Sequence, residues 1–293
     1  MKSLVYFCMV FLLTGTVCSQ THSLRKNLNQ IIQPVQGKIG VAIQDLETGD
    51  TLTIHGHEHY PLQSVFKFHL ALAILHQMDQ GNLMLDQKIF INKSDLIPGT
   101  YSPMADKYPG GNVELPLREI LNYTVSQSDN NGCDILFGLL GGPQQVDDYI
   151  HSLGISGVSI QATEAEMAKH WNVQYTNWTT PFAAVQLLEK FYHRKILSRT
   201  GHDFLWDVMS GPTTGGSRIP VQLPEGTPVA HKTGTSGTKD GIRGAANDIG
   251  IVTLPNGGHF AIAIFVSDSP EPSQTIDKTI ASIAKITWDE FVR

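Results

Sequence analysis

Strand-forming patterns occur at the two ends of this chain, and a succession of helical segments separates them. Near the start, Ile39 to Gln44 and Thr51 to His55 are short β-rich runs. Between them Glu47-Thr48-Gly49-Asp50 is a hairpin signal. Val65 to Gln80 then carries apolar residues at helical spacing and stops at Gly81-Asn82. Leu117 to Val125, Gly132 to Leu140, Pro143 to Leu153, Thr180 to Tyr192 and His202 to Met209 also read as helices. Strands return at Pro228 to Lys232, Asp248 to Leu254 and Phe260 to Ser267. Pro255-Asn256-Gly257-Gly258 is a hairpin turn between the last two, and Gln274 to Val292 is an amphipathic terminal helix. The order predicts an α+β fold in which both terminal segments complete one antiparallel sheet and a helical lobe is inserted between them. The α/β lobe is expected over about 20–61 and 211–293 and the all-helical lobe over about 62–210, with a cleft where they meet.

Met1 to Ser19 reads as a secretory signal peptide. Lys2 supplies the basic start, Leu4 to Leu13 is an unbroken apolar run, and Val17-Cys18-Ser19 precedes Gln20 with small side chains. The run is too short to span a bilayer. Val17 is bulky for a lipoprotein signal ending at Cys18. Cleavage leaves residues 20–293 as one catalytic domain, with Cys133 as its sole cysteine and hence no internal disulfide. Losing Lys2 takes the formal charge from −6 to −7, which argues against a nucleic-acid partner. The expectation is an exported, periplasmic monomer without a membrane span.

Three short strings carry the chemistry: Ser64-Val65-Phe66-Lys67, Ser128-Asp129-Asn130 and Lys232-Thr233-Gly234. Ser-x-x-Lys occurs four times, at Ser23, Ser64, Ser236 and Ser282, but only Ser64 lies upstream of both other strings with a domain's length of chain between. Ser64 opens the first strong helix, where orphan N–H groups and the positive dipole favour a developing oxyanion. Lys67 is one turn on, on the same face. Alone, such a pair is an N-capping serine and a solvated lysine. Ser128-Asp129-Asn130 alone is a helix cap. Lys232-Thr233-Gly234-Thr235 ends a β-run, and a strand edge can pair with an extended substrate while Gly234 allows close approach. Together they supply a nucleophile, two lysines, and hydroxyl and amide groups to hold a substrate. That set suits acyl transfer through a serine ester.

In this order the trio is the signature of class A β-lactamases and penicillin-binding proteins. The stretch Tyr123 to Leu136 resembles the corresponding helix junction of class A β-lactamases of the PER and VEB type. So do Gln63 to Phe68, His231 to Gly237 and Asn247-Asp248. The resemblance covers essentially the mature chain and implies the two-lobe serine β-lactamase/transpeptidase-like fold. It implies that Ser64 attacks the lactam, and that Lys67, or Glu164 through water, takes its proton. The Ser64 and Thr235 N–H groups would form the oxyanion hole. Ser128 would return a proton to the ring nitrogen with help from Lys232. Asn130, Lys232, Thr233, Gly234, Thr235 and Arg218 would hold substrate, with Tyr101 at the cleft mouth. A planar guanidinium suits a substrate carboxylate. No cofactor is implied.

Class A enzymes release the acyl group with a glutamate in a pattern of Glu, two residues, Leu or Met, then Asn or His. Here Thr163-Glu164-Ala165-Glu166-Met167-Ala168-Lys169-His170 offers two candidates. Glu164 matches through Met167 and then meets Ala168; Glu166 reaches His170 one residue too late. Spacing to Gln174-Tyr175-Thr176-Asn177-Trp178 also favours Glu164. Ala168 departs from the pattern, since a methyl group cannot help to hold the hydrolytic water. Acylation competence is expected; either Glu164 alone positions the water, or another group compensates, or release of the acyl-enzyme is slow.

His55-Gly56-His57-Glu58-His59 looks like a zinc cluster, but no convergent set completes it, and no metal is expected. The sequons at Asn92, Asn122 and Asn177 read as chance. A penicillin-binding D-Ala-D-Ala peptidase is the rival enzyme and a covalent β-lactam sensor the rival binding protein. The Glu164 loop and the lack of an anchor favour the lactamase.

Overall fold

The computed structural model describes residues 22–293, so the expected signal peptide lies outside the described residues. The main sheet has six strands: β1 (Lys38–Asp45), β2 (Thr51–Ile54), β3 (Val229–Thr235), β4 (Thr238–Lys239), β5 (Ile242–Thr253) and β6 (His259–Ser269). Their order is β2-β1-β6-β5-β3, with β4 on β5, and every pairing is antiparallel. N- and C-terminal segments therefore share one sheet: β1 lies along β6 from Lys38↔Ser267 to Asp45↔Phe260. Inserted between β2 and β3 is the segment 55–228, which carries the helical lobe, and this is the α+β architecture expected.

Side-chain period sets the two cores. Along β6, Phe260, Ile262, Ile264 and Val266 face one core, while Ala261, Ala263 and Phe265 face the other. The first core is closed by α1 (22–32) and the terminal helix, through Leu24, Leu28, Ile32, Ile276, Ile280 and Ile283. The second is closed by the helical lobe. A sheet covered on both faces reads as a continuous apolar run rather than an alternation. The sequence reading left 22–32 without an element, although Leu24, Leu28 and Ile32 stand four residues apart. β5 starts six residues before the expected Asp248. Gly244-Ala245-Ala246 lacks β-branched residues, and pairing with β3 and β6 overrides that weak propensity.

At the centre of the helical lobe, α2 (Phe66–Asp79) buries every residue from Phe66 to Leu75. A helix apolar on all sides is a buried helix, and Lys67 is therefore carried into the interior. Around it stand α3 (Leu117–Ser126), α4 (Asn130–Leu140), α5 (Pro143–Ser152), α6 (Glu164–Lys169), α7 (Pro181–Tyr192) and α8 (Arg199–Ser210); α9 (Ser273–Phe291) ends the chain. A small sheet pairs Tyr60–Pro61 with Trp178–Thr179, and the latter with Val158–Ser159. It ties the approach to Ser64 to both ends of the 160–177 loop. Cys133 is buried and unpaired. Among the described residues no helix is long and apolar enough to cross a membrane.

Candidate active site

Ser64 lies in a 3-10 turn, Gln63–Val65, that runs straight into α2. Gln63 takes φ 47°, an uncommon value for a non-glycine residue. Asn247 Nδ2 on β5 donates to the Pro61 and Leu62 carbonyls at 2.8 and 3.1 Å, and Leu62 N donates to Asn177 O at 2.8 Å. Gln63 Nε2 donates to the buried Gln174 side chain at 2.7 Å. The turn is thus held from the sheet and from the loop.

Lys67 is fully buried, and its Nζ donates to Ser64 Oγ (3.0 Å), Ser128 O (2.8 Å) and Asn130 Oδ1 (2.6 Å). It also lies 2.9 Å from Glu164 Oε1, and Ser64 Oγ donates to that same oxygen at 3.5 Å. Four acceptors surround three N–H groups. Ser64 Oγ accepts from Lys67 and donates toward Glu164 Oε1, so the serine proton points at the carboxylate, and Lys67 can take it only as the free amine.

Ser128 adopts φ 60°, a strained value for a side-chain-bearing residue, costing of order 1–3 kcal/mol. The strain is held by Asp129, which is fully buried and caps α4 by accepting from Gly132 N. Asp129 also accepts from Ser102 Oγ and Met104 N, so it fixes the turn rather than facing the cleft. Ser128 Oγ accepts from Lys232 Nζ at 3.0 Å. Burial first, then the Lys67 ammonium, pushes the Lys232 amine down to about 7.

Lys232 to Thr235 end β3, the free edge of the sheet. Ser236 N donates to Ala245 O on β5. Because N–H direction alternates along a strand, the Thr235 N–H points off that free edge. A methyl group on Gly234 would stand 2.5 Å from Leu62 O and 3.1 Å from Ser64 N, so only glycine lets β3 lie against the serine turn. Arg218 is buried behind the strand. It pairs with Asp277 at 2.8 Å, donates to the Gly234 and Asn247 carbonyls, and reaches Thr235 Oγ1 at 2.8 Å. Thr233 Oγ1 meets Thr214 Oγ1 at 3.4 Å.

Glu164 and Glu166 part company at α6. Thr163 and Glu166 form a capping box, with Glu166 Oε2 accepting from Thr163 N at 2.8 Å, and Glu166 is exposed. Glu164 points inward and is 10% exposed. Asp134 on α4 accepts from Glu164 N (2.8 Å) and Ala165 N (2.9 Å), which aims the helix start at Lys67. Burial pushes the Asp134 carboxyl up to about 6, against those two hydrogen bonds. Asn177 pins the loop by bonding Gln161 N, Ala162 N and Ala162 O. Its amide is fully buried, so this sequon is not a modification site.

These groups open on a cleft of about 210 Å³ that Ser64, Thr100, Asn130, Glu164, Ala168 and Thr235 help to line. Tyr101 is 56% exposed beside it; its carbonyl accepts from Asn130 N, and the cleft wall at that point is Thr100. Thr100 and Asp134 were not singled out from sequence, and Asn247 was named there only as part of the resemblance, without a role. Asp134 sits inside the Tyr123–Leu136 stretch, so the resemblance could have flagged it too. The three histidines before the serine diverge. His55 Nδ1 meets Ile39 O, His57 packs on Phe182, and His59 stacks on Trp178 at 3.5 Å. Among the described residues no group of three His, Cys, Asp or Glu is placed to hold a metal.

Comparison with known proteins agrees with this geometry. The model of the beta-lactamase enzyme family matches residues 23–291. Beta-lactamase VEB-1 of Pseudomonas aeruginosa is 46% identical over 94% of this chain and 92% of its own length. Extended-spectrum beta-lactamase PER-1 of the same organism is 42% identical over 92% of this chain and 88% of its own. The crystal structure of the TLA-1 extended-spectrum beta-lactamase superposes with a TM-score of 0.92 at 53% identity, covering 94% of this chain and all of that one. The chain belongs to the beta-lactamase enzyme family, in the class A branch that includes VEB-1 and PER-1.

Proposed function

We infer that this protein hydrolyses the β-lactam ring of penicillins and cephalosporins through an ester on Ser64, and so confers resistance to them. The observation that carries the reading is one buried cluster in which Ser64 Oγ, Lys67 Nζ and Glu164 Oε1 stand within 3.5 Å of one another. In acylation, Lys67, or Glu164 through a water, takes the Ser64 proton, and Oγ bonds to the lactam carbonyl carbon. The Ser64 and Thr235 N–H groups receive the oxyanion. Losing one such donor costs about 10²- to 10³-fold in rate. The C–N bond then breaks, Ser128 Oγ passes its proton to the ring nitrogen with Lys232 3.0 Å behind it, and the proton taken from Ser64 is relayed on to restore the Ser128 hydroxyl and free the base. Lys232, Thr233 and Thr235 hold the substrate carboxylate, with Arg218 acting from behind the strand through its 2.8 Å hydrogen bond to Thr235 Oγ1; Gly234 lets the substrate lie along β3, Asn130 offers its side-chain amide to a substrate carbonyl, and Tyr101 flanks the mouth.

In deacylation Glu164 removes a proton from water, the hydroxide oxygen bonds to the acyl carbon, and the ester C–O bond breaks. The proton returns to Ser64 Oγ, regenerating the hydroxyl and releasing a ring-opened carboxylate. Relatives named extended-spectrum support activity on bulky cephalosporins. We further read residues 20–293 as one catalytic domain, with lobes at about 20–61 plus 211–293 and 62–210, exported to the periplasm as a monomer.

Mass spectrometry of the unmodified protein, Ser64→Ala and Glu164→Ala after mixing with a cephalosporin tests the mechanism. Glu164→Ala should accumulate acyl-protein, and Ser64→Ala should neither label nor hydrolyse. Hydrolysis by Ser64→Ala would sink the mechanism. A stable adduct on the unmodified protein would favour the peptidase or sensor instead.

A further inference from the structure

Behind the proposed carboxylate site lies a buried acid that the reaction does not use. Asp248 on β5 is fully buried and stands directly opposite Thr233 on β3. Its Oδ1 and Oδ2 lie 2.9 and 3.1 Å from the Nδ1 of His231, which is also buried, and Oδ2 accepts from Ile219 N at 3.1 Å. A carboxylate only accepts, so His231 carries a proton on Nδ1. Gly250, the cross-strand partner of His231, makes room for this side chain: a methyl group there would stand 2.7 Å from His231 Cβ.

These bonds run from the sheet into the segment that carries Arg218. Ile219 follows Arg218 directly, and Arg218 N donates to Gly215 O at 3.0 Å, closing a turn. Gly215 takes φ 81°, and a methyl group there would overlap Thr233 Cγ2 and stand 3.3 Å from His231 Cε1. The turn therefore lies against His231 and Thr233, on the face of β3 opposite to Lys232. From the end of this turn Arg218 holds the Gly234 and Asn247 carbonyls and Thr235 Oγ1. Asp248 thus pins one end of the turn, and the other end rests on Thr233.

We propose that Asp248 is a positioning residue for substrate recognition: through His231 and the Ile219 N–H it sets the turn that presents Arg218 to Thr235, and so fixes the pocket for the β-lactam carboxylate. It touches no substrate itself. The inference rests on the serine reading above and on its placing of that carboxylate at Lys232, Thr233 and Thr235. A residue serving stability alone would lower the amount of active enzyme and leave KM unchanged.

Three variants test it. Asp248→Leu removes both bonds with a side chain branched at the same atom. Asp248→Asn keeps an acceptor for Ile219 N and an amide for His231. Gly215→Ala displaces the same turn from its other end and leaves the buried pair intact, which keeps the test decisive should Asp248→Leu fail to fold. Steady-state kinetics, with active enzyme counted by burst titration, compare a chromogenic cephalosporin with its carboxyl methyl ester. The parent should favour the acid. Asp248→Leu and Gly215→Ala should raise KM for the acid about tenfold with kcat per active site within about threefold, the loss expected when one hydrogen bond to a charged group weakens. KM for the ester should not move, and Asp248→Asn should stay within about threefold of the parent on both substrates. A parental KM for the acid in Gly215→Ala would overturn the proposal, as would equal losses on acid and ester. A loss in Asp248→Asn as large as that in Asp248→Leu would assign the effect to the buried charge and overturn positioning. A parent that treats acid and ester alike would remove the carboxylate reading, and this inference with it; a parent that favours the acid, with variants that keep the preference, sinks this inference alone.

Discussion

Lys67 Nζ lies 2.9 Å from Glu164 Oε1, forming a buried ion pair between the first turn of α2 and the first turn of α6. The pair joins the group beside the nucleophile to the proposed base for water. Glu164→Gln keeps an acceptor there but removes its charge and basicity. Deacylation should fall by about 10²- to 10⁴-fold, while acylation persists because Lys67 still stands 3.0 Å from Ser64 Oγ. Stopped-flow burst kinetics read both steps. Equal loss of both would assign the acylation base to Glu164 instead of Lys67.

Lys232 should impose the alkaline limit. Its amine is held at about 7, below the usual lysine value, by burial and then by Lys67. As pH rises through that value the free enzyme loses a positive charge at the proposed carboxylate site, so kcat/KM for an anionic β-lactam should fall above about pH 7. A guanidinium does not deprotonate in this range. Lys232→Arg should be slower at neutral pH yet lack that limb. An unchanged limb in pH–rate profiles of the variant would exclude Lys232 as its source.

Ala168 is where the chain departs from its family pattern. Ala168→Asn and Ala168→His each restore a hydrogen-bonding group beside Glu164, and steady-state hydrolysis should rise if water is poorly held there. If neither substitution raises kcat for a substrate limited by deacylation, Ala168 does not limit turnover.

His69 should contribute a loss of stability in acid. It is buried on α2, one helical turn from Val65, and burial lowers its imidazole to about 4 from 6.5. Between those values the unfolded chain binds a proton that the folded state refuses, so stability falls as pH drops through this window. The loss attributable to His69 amounts to about 3 kcal/mol between pH 7 and pH 4. His69→Gln should flatten the urea-midpoint profile across that range. Parallel profiles for parent and variant would show that another group is responsible.

Much of the fold was legible because its signals are local. The Glu47–Asp50 hairpin, the helical spacing from Val65 to Gln80 and the turn at Pro255–Gly258 each lie within one segment, and each element formed within a few residues of expectation. Elements set by distant partners were not legible. The Tyr60–Pro61, Trp178–Thr179 and Val158–Ser159 strands are two residues each, too short for any periodicity, and exist because they pair across the fold. The early start of β5 and the capping box at Thr163 and Glu166 were likewise missed, the first through weak propensity and the second because both glutamates fit the same loop.

Residue types and their order along the chain were enough to determine the reaction class: a serine one turn before a lysine, then Ser-Asp-Asn, then Lys-Thr-Gly. Which carboxylate meets that lysine was decided by tertiary structure, since Ser64 and Glu164 are 100 residues apart and Ser128 and Lys232 are 104 apart. Asp134 aims Glu164 inward while Glu166 turns back to cap its own helix. Such contacts are properties of packed elements, and no single segment encodes them.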